Sequence, residues 1–284
     1  MNAGTWLAGD FAADGYVARN GVLGETDLAR AEEAIAAWVA RQIGVWAGKP
    51  ARDGDREAAF IAAWQAAGGG EFRRSPFRNL VHPAFFAFLR SPALLAFVSE
   101  LLDTQEISVH GIFNARPMMP GGHPTPWHQD AQYWHTHGGD IAEFDPERRI
   151  VSIWLPLQDL DPILGGLEVA PLTTTKAKLY ADEFRDSATG LIALAPDDAV
   201  GLRGELPMLK RGGVVGFTQL NVHRGTPNRS ARIRWSVDAR FEASDGATTV
   251  GKRFGFVASS PSGRYPEDGY EQWRDRCLAN VPAI

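Results

Sequence analysis

Between residues 233 and 241 apolar and polar side chains alternate without a break. Ile233, Trp235, Val237, Ala239 and Phe241 interleave with Arg234, Ser236, Asp238 and Arg240. A period of two marks a strand with one apolar and one polar face. On most sheets the polar face is solvated, whereas in a barrel that encloses a ligand it can point inward, and Arg234 is the residue on which that choice turns. The front of the chain has a different period. Leu28, Ala31, Ile35, Trp38, Val39, Ile43 and Trp46 recur at three- and four-residue spacing, which predicts a helix over residues 25–47 with one apolar face and Thr26 or Asp27 as its cap. A second helix is expected over residues 58–67, stopped by three glycines, and a third over residues 93–102, opened by Ser91 as cap and Pro92 at the first helical position.

From Ile107 onward short β-favouring runs take over, at residues 107–114, 150–157, 167–170 and 214–220, separated by Gly- and Pro-rich corners. Helices in front and strands behind, with no repeat or low-complexity linker, predict one domain over residues 1–284. Its expected parts are a mostly helical segment (1–105), a jelly-roll core (106–245) and a C-terminal extension (246–284). The expected architecture is an antiparallel sandwich or jelly-roll barrel with the helices packed on the outside of one sheet.

Composition narrows the partners. With 34 acidic and 29 basic residues the net charge is −5, and no Lys/Arg cluster offers a footprint for nucleic acid or an anionic membrane, so small molecules are the expected partners. Cys277 is the single cysteine, which excludes an intrachain disulfide and a thiolate metal cluster and suits a reducing compartment. No run of about 18 apolar residues occurs and the N-terminus lacks a leader pattern, so a cytoplasmic location is expected. Composition sets no oligomeric state.

The candidate chemistry gathers around residues 127–135. His128 and Asp130 are two positions apart, which in extended backbone turns both side chains to one face. Two histidines and one carboxylate with open positions are the donor set of non-haem Fe(II) oxygenases, and a second histidine stands 95 positions on, at His223, just after a strand. Five histidines fall between residues 110 and 137, so zinc is a second reading, although the cysteine ligands and closed spacing of structural zinc are missing. Arg234 follows His223 after a turn-rich connection and offers a rigid, always-charged fork for a carboxylate. His82, beside Pro83, reads as structural or exposed, and His123 and His137, in Gly/Pro-rich loops, as exposed.

Taken together, Phe11-Ala-Ala-Asp-Gly-Tyr-Val17, the run from Trp127 to His135, Ile153-Trp-Leu-Pro-Leu-Gln-Asp159 and the stretch from His223 to Arg234 resemble the phytanoyl-CoA dioxygenase family of Fe(II)- and 2-oxoglutarate-dependent oxygenases. The Trp-His-x-Asp-x-x-x-Trp-His run also resembles ectoine hydroxylases within it. The resemblance implies a double-stranded β-helix fold and His128, Asp130 and His223 as iron ligands. It makes Arg234 the partner of the distal carboxylate of 2-oxoglutarate, with Ser236 assisting, and places Asn114 and His110 near the cosubstrate. It further implies O2-driven decarboxylation of 2-oxoglutarate to succinate and CO2, coupled to hydroxylation, desaturation or rearrangement of a small molecule. Halogenases of the wider superfamily resemble a version with Ala or Gly at the carboxylate position, so Asp130 speaks against halogenation.

The sequence departs from the family pattern at Pro171-Leu-Thr-Thr-Thr-Lys176 and at Gly225, neither within the triad. Candidate pocket residues are Arg116, Gln132, Tyr133, Trp134, His135 and Phe217, which flank the metal motif or lie on the strand leading to His223. Residues such as Trp134 and Phe217 are more often core, and one such as Arg116 more often a surface charge. Residues 136–149 are a candidate lid. Two other classes stay open: a cupin-like protein that binds metal and 2-oxoglutarate without turnover, and a zinc-dependent hydrolase, which would leave Arg234 without a role.

Overall fold

The computed structural model describes residues 4–47, 56–68, 80–136, 150–180, 184–244 and 255–279. The chain opens with β1 (Thr5–Ala8), a single turn α1 (Phe11–Asp14) and β2 (Tyr16–Asn20), followed by four helices: α2 (Glu25–Ala47), α3 (Arg56–Ala66), α4 (Pro83–Leu89) and α5 (Pro92–Leu102). Next come β3 (Ile107–Ala115), α6 (Asp130–Thr136), β4 (Ile150–Pro156), β5 (Leu167–Val169) and the short turn α7 (Leu172–Thr175). A hairpin of β6 (Phe184–Arg185) and β7 (Ile192–Ala193) and a turn α8 (Pro196–Ala199) lead to β8 (Val214–Thr218), β9 (His223–Gly225) and β10 (Ser236–Ala243). The chain closes with β11 (Phe256–Ser259) and α9 (Tyr270–Ala279).

Seven strands form one antiparallel sheet in the order β1-β2-β8-β4-β10-β3-β11, and β5 pairs with β9 in a small second sheet. This is the jelly-roll architecture expected from the patterning. The helices cover one face of the large sheet: Leu28, Ile35, Trp38 and Val39 of α2 and Leu94, Phe97, Val98 and Leu101 of α5 share a core with Ile153, Val237, Ala239 and Phe241. Helix α5 lies so close that a Cβ on Gly216 would meet Leu101 Cδ1 at 2.4 Å and Phe97 Cε1 at 3.0 Å, so β8 needs glycine there. On the opposite face Trp154, Val215 and Phe217 pack against Leu167 and Val169 of the small sheet. The site lies between these two layers.

The helix starts follow capping chemistry. Ser91 Oγ accepts from the Leu94 amide at 3.4 Å with Pro92 at the first helical position, and His82 Nδ1 accepts from the Ala84 amide at 3.2 Å. His82 is therefore a helix cap. Three expectations are corrected. The mostly helical first segment also supplies β1 and β2, which extend the main sheet through β8. The C-terminal extension is part of the same core, since β11 pairs with β3 and Trp273 of α9 is fully buried against Phe86, Phe113 and Phe256. The alternating strand begins at Ser236 rather than at residue 233, with Arg234 held before it by a bridge to Met118. Among the described residues no single helix is long and apolar enough to cross a membrane. The candidate lid falls almost wholly outside the described residues.

Candidate metal centre

His128 and His223 are brought together by the backbone. Each donates its amide to the other's carbonyl, at 3.0 and 2.9 Å, making a one-pair antiparallel bridge between the segment after Trp127 and β9. Their rings stand 4.1 Å apart, centroid to centroid. Asp130 does not share an extended backbone with His128, as the two-residue spacing predicts. It is the first residue of α6, and the turn into the helix is what swings its carboxylate back toward the two imidazoles. One ligand atom from each of His128, Asp130 and His223 lies within 4.8 Å of the others, and all three residues are buried.

The protonation states suit a divalent cation. His128 Nδ1 faces the Pro126 carbonyl and His223 Nδ1 the Asn221 carbonyl, each at 2.9 Å. A carbonyl only accepts, so Nδ1 carries the proton in both rings and Nε2 keeps its lone pair for a metal. Burial, reinforced by the neighbouring His223, pushes the His128 pKa down to about 3, and burial likewise lowers that of His223. Phe217 packs on His223 at 4.6 Å and Tyr133 meets His128 edge-on at 5.9 Å, which fixes the ring planes.

Asp130 is held by a guanidinium that the sequence reading passed over. Arg240 Nη2 donates to Oδ1 at 2.8 Å and Nε to Oδ2 at 3.0 Å, and the Ser152 hydroxyl also donates to Oδ2. Burial alone would raise the Asp130 pKa; the Arg240 charge and hydrogen bonds overcome it and hold the carboxyl well below its usual range. Arg240 also donates to Asp238 Oδ1, which accepts from Asn114 at 2.8 Å as well, and Arg116 Nε donates to Asp238 Oδ2. Asp130, Arg240, Asp238 and Arg116 form a ladder of alternating charge along the inner side of β10 and β3. The strict alternation of residues 233–241 already put Asp238 and Arg240 on the face of Arg234; two opposite charges two apart on an inward face were the available signal.

Arg234 lies under the opposite condition. It is 4% exposed, donates through Nη1 to the Gly166 and Thr226 carbonyls at 3.1 Å each, and sits over the Trp154 ring at 5.9 Å. Among the described residues its Nε has no partner and no carboxylate neutralises it, and burial lowers its pKa to about 10. A buried cation with an idle donor and no internal anion is what a docking point for an external carboxylate looks like before the ligand arrives.

The remaining candidates separate. Asn114 and Ser236 face their own neighbours, Asn114 giving its amide to Asp238 and Ser236 its hydroxyl to the Arg116 carbonyl. His110 is buried opposite Arg240 in the β3–β10 pairing. Gln132, a candidate pocket residue, is spent on the loop itself: Oε1 accepts from the Gln129 amide at 2.9 Å and Nε2 donates to the Ala193 carbonyl at 3.3 Å. Gln129, also passed over, ties the same loop to the Lys178 and Leu220 carbonyls and accepts from the Tyr180 amide. Trp134 and His135 belong to α6, and their side chains fall outside the described residues.

Known proteins share this fold. The structure is similar to an epimerase, SnoN of nogalamycin biosynthesis, solved with Fe3+, alpha ketoglutarate and nogalamycin RO (15% identity, 89% of this chain and 84% of that one, TM-score 0.54). It is also similar to a non-heme alpha ketoglutarate dependent carbocyclase, SnoK of the same biosynthesis (16%, 92% and 92%, 0.54). A third similar structure is EctD from S. alaskensis with 2-oxoglutarate and 5-hydroxyectoine (17%, 82% and 73%, 0.51). No curated protein matches by sequence. These likenesses establish the fold, while the sequence model of phytanoyl-CoA dioxygenase (PhyH) matches residues 11–236, from the turn before β2 to the start of β10, and the chain belongs to that family.

Proposed function

We propose that the protein is an Fe(II)- and 2-oxoglutarate-dependent oxygenase acting on a small molecule. The observation that carries this reading is the pairing of two features: a buried His-Asp-His set with both Nε2 atoms free of protons, and a buried arginine, Arg234, with no anion of its own among the described residues. A zinc hydrolase needs the first and has no use for the second. A non-catalytic binding protein would need both, so turnover is what separates it from an oxygenase.

Iron and 2-oxoglutarate, when bound, would supply the oxidising chemistry, with O2 consumed and succinate and CO2 released as a C–H bond of the substrate is oxidised. The protein's part is to bind, orient and keep water away. His128, Asp130 and His223 would hold the metal. Arg240 and Ser152 keep Asp130 ionised and fix its plane, so its charge is available without a proton having to leave. Arg234 would take the far carboxylate of the keto acid, its guanidinium already oriented by two carbonyls. Trp154 and Phe217 form the apolar wall between those ends. The related folds carry epimerase and carbocyclase activities, so the shared step is C–H oxidation and the outcome after it belongs to the substrate; hydroxylation is the expected one here.

The test is an anaerobic titration of metal-free protein with Fe(II) and then 2-oxoglutarate, followed by the visible metal-to-ligand charge-transfer band. The band is expected in wild type, absent in His223→Ala, and displaced to far higher cosubstrate in Arg234→Gln. A folded, iron-binding wild type without the band overturns the assignment. Decarboxylation of 2-oxoglutarate under O2 then separates an oxygenase from a binding protein.

A further inference from the structure

The ladder that begins at Asp130 is open at its other end. Arg116 gives only Nε to Asp238, and neither Nη has a protein partner among the described residues. The nearby acceptors are already spent: Asp238 Oδ1 takes Asn114 and Arg240, Oδ2 takes Arg116, and both oxygens of Asp130 take Arg240. The Arg116 side chain is 43% accessible, so its Nη edge is open to a ligand. Hydrogen bonds tie the guanidinium to the metal centre: Arg116 Nε is held by Asp238, Asp238 by Arg240, and Arg240 by Asp130. The cation is permanent, since Asp238 raises its pKa against the effect of burial.

The oxygenase reading, on which this inference rests, leaves that cation unassigned. One carboxylate of the keto acid belongs to the metal and the other to Arg234. A neutral, apolar substrate beside Arg116 would leave charged N–H donors without acceptors in a space that the substrate itself dries, which costs binding. A planar two-oxygen anion meets the free Nη edge with two parallel hydrogen bonds. A phosphate dianion would call for more than one cation. We propose that Arg116 is the recognition group for the substrate, and that the substrate is a small molecule bearing a carboxylate, gripped by the free Nη edge beside the metal. Asp238 acts as a positioning residue by fixing the guanidinium through Nε, so the fork is oriented before the substrate arrives.

The experiment uses full-length protein loaded anaerobically with Fe(II) and 2-oxoglutarate, reading the charge-transfer band as small aliphatic and aryl carboxylic acids and their matched carboxamides are added. Wild type, Arg116→Gln and Arg116→Lys are compared. In wild type, acids are expected to perturb the band at concentrations roughly tenfold or more below their amides. Arg116→Gln removes the preference and Arg116→Lys restores part of it, while the 2-oxoglutarate affinity of both variants stays within about twofold of wild type. If Arg116→Gln weakens 2-oxoglutarate as Arg234→Gln does, the residue serves the cosubstrate and the proposal falls. It falls equally if no acid outcompetes its amide in wild type. A wild type that gives the band but shows no acid preference overturns the Arg116 assignment alone, whereas a wild type without the band overturns the oxygenase reading and this inference together.

Discussion

Two arginines, Arg234 just before β10 and Arg240 within it, share an inward face and the same burial, each 4% exposed. Their surroundings could hardly differ more. Arg240 is enclosed by Asp130 and Asp238, which accept three hydrogen bonds from it, and its pKa is raised above the usual guanidinium value despite burial. Arg234 has two carbonyls, an aromatic face and an idle Nε, and burial drags its pKa down to about 10. Burying a charge is costly unless an opposite charge is present. Where the fold supplies the anion the arginine is structural; where it withholds one, the unmet attraction is left for a ligand. Residue type, face and exposure are equal here, so the supply of partners is what separates architecture from binding site.

The sharpest way to break that contrast is to remove both side chains in turn. Arg240→Met leaves Asp130 buried without its cation and Asp238 with Arg116 alone, and a loss of about 3–5 kcal/mol of stability is expected in urea melts. Arg234→Met strands no charge and costs only the hydrogen bond to the Thr226 carbonyl, so its stability should change by about 1 kcal/mol or less, while its 2-oxoglutarate dissociation constant rises about a hundredfold, or ~3 kcal/mol. If Arg234→Met is as destabilising as Arg240→Met, the two environments are not distinct. Acid probes the centre between them. The folded-state pKa of His128 is near 3 and that of His223 is also depressed, whereas an unfolded histidine takes its proton near 6.5. Below that value the unfolded state binds more protons, so metal-free protein should lose stability as pH falls from about 6.5 toward 3. The slope expected is about 1.4 kcal/mol per pH unit from His128, with His223 acting in the same direction, measurable by chemical denaturation at a series of pH values. Bound metal should raise this curve without flattening it, because the folded imidazoles stay neutral while the unfolded ones still take protons. The smallest effect belongs to Ser152→Ala, which takes one of three donors from Asp130; a loss of about 1 kcal/mol is expected by thermal melt, with the iron–keto acid complex still forming.

Much of this was legible in the sequence because single periods carried it. The alternation through residues 233–241 correctly separates a helix-facing apolar side from an interior polar side, and the three- and four-residue spacing of α2 identifies its buried stripe. What escaped depended on partners distant in sequence. Asp238 and Arg240 read as an ordinary solvated pair until Asp130, Asn114 and Arg116 are placed against them by β3 and the turn into α6. Strands β1 and β2 are four and five residues long, and only their pairing through β8 makes them part of the sheet. Trp273 lies in a helix with mostly polar neighbours, and its burial comes from Phe86, Phe113 and Phe256 closing on it. The His-x-Asp spacing pointed to residues that the structure does bring together, but through the wrong backbone, since a bend into a helix does what an extended strand was expected to do.

The backbone bridge between His128 and His223 makes the site dependent on the fold as a whole. Its two hydrogen bonds join segments 95 positions apart, and closing a contact of such range costs chain entropy that a local turn does not. The sheet that frames it is joined over longer separations still, Tyr16 with Phe217 and Asn114 with Asp238, so the two imidazoles are brought together by the whole fold and not by a local motif. Only the folded chain presents the three ligands at one point, with Arg240 setting the plane of the third.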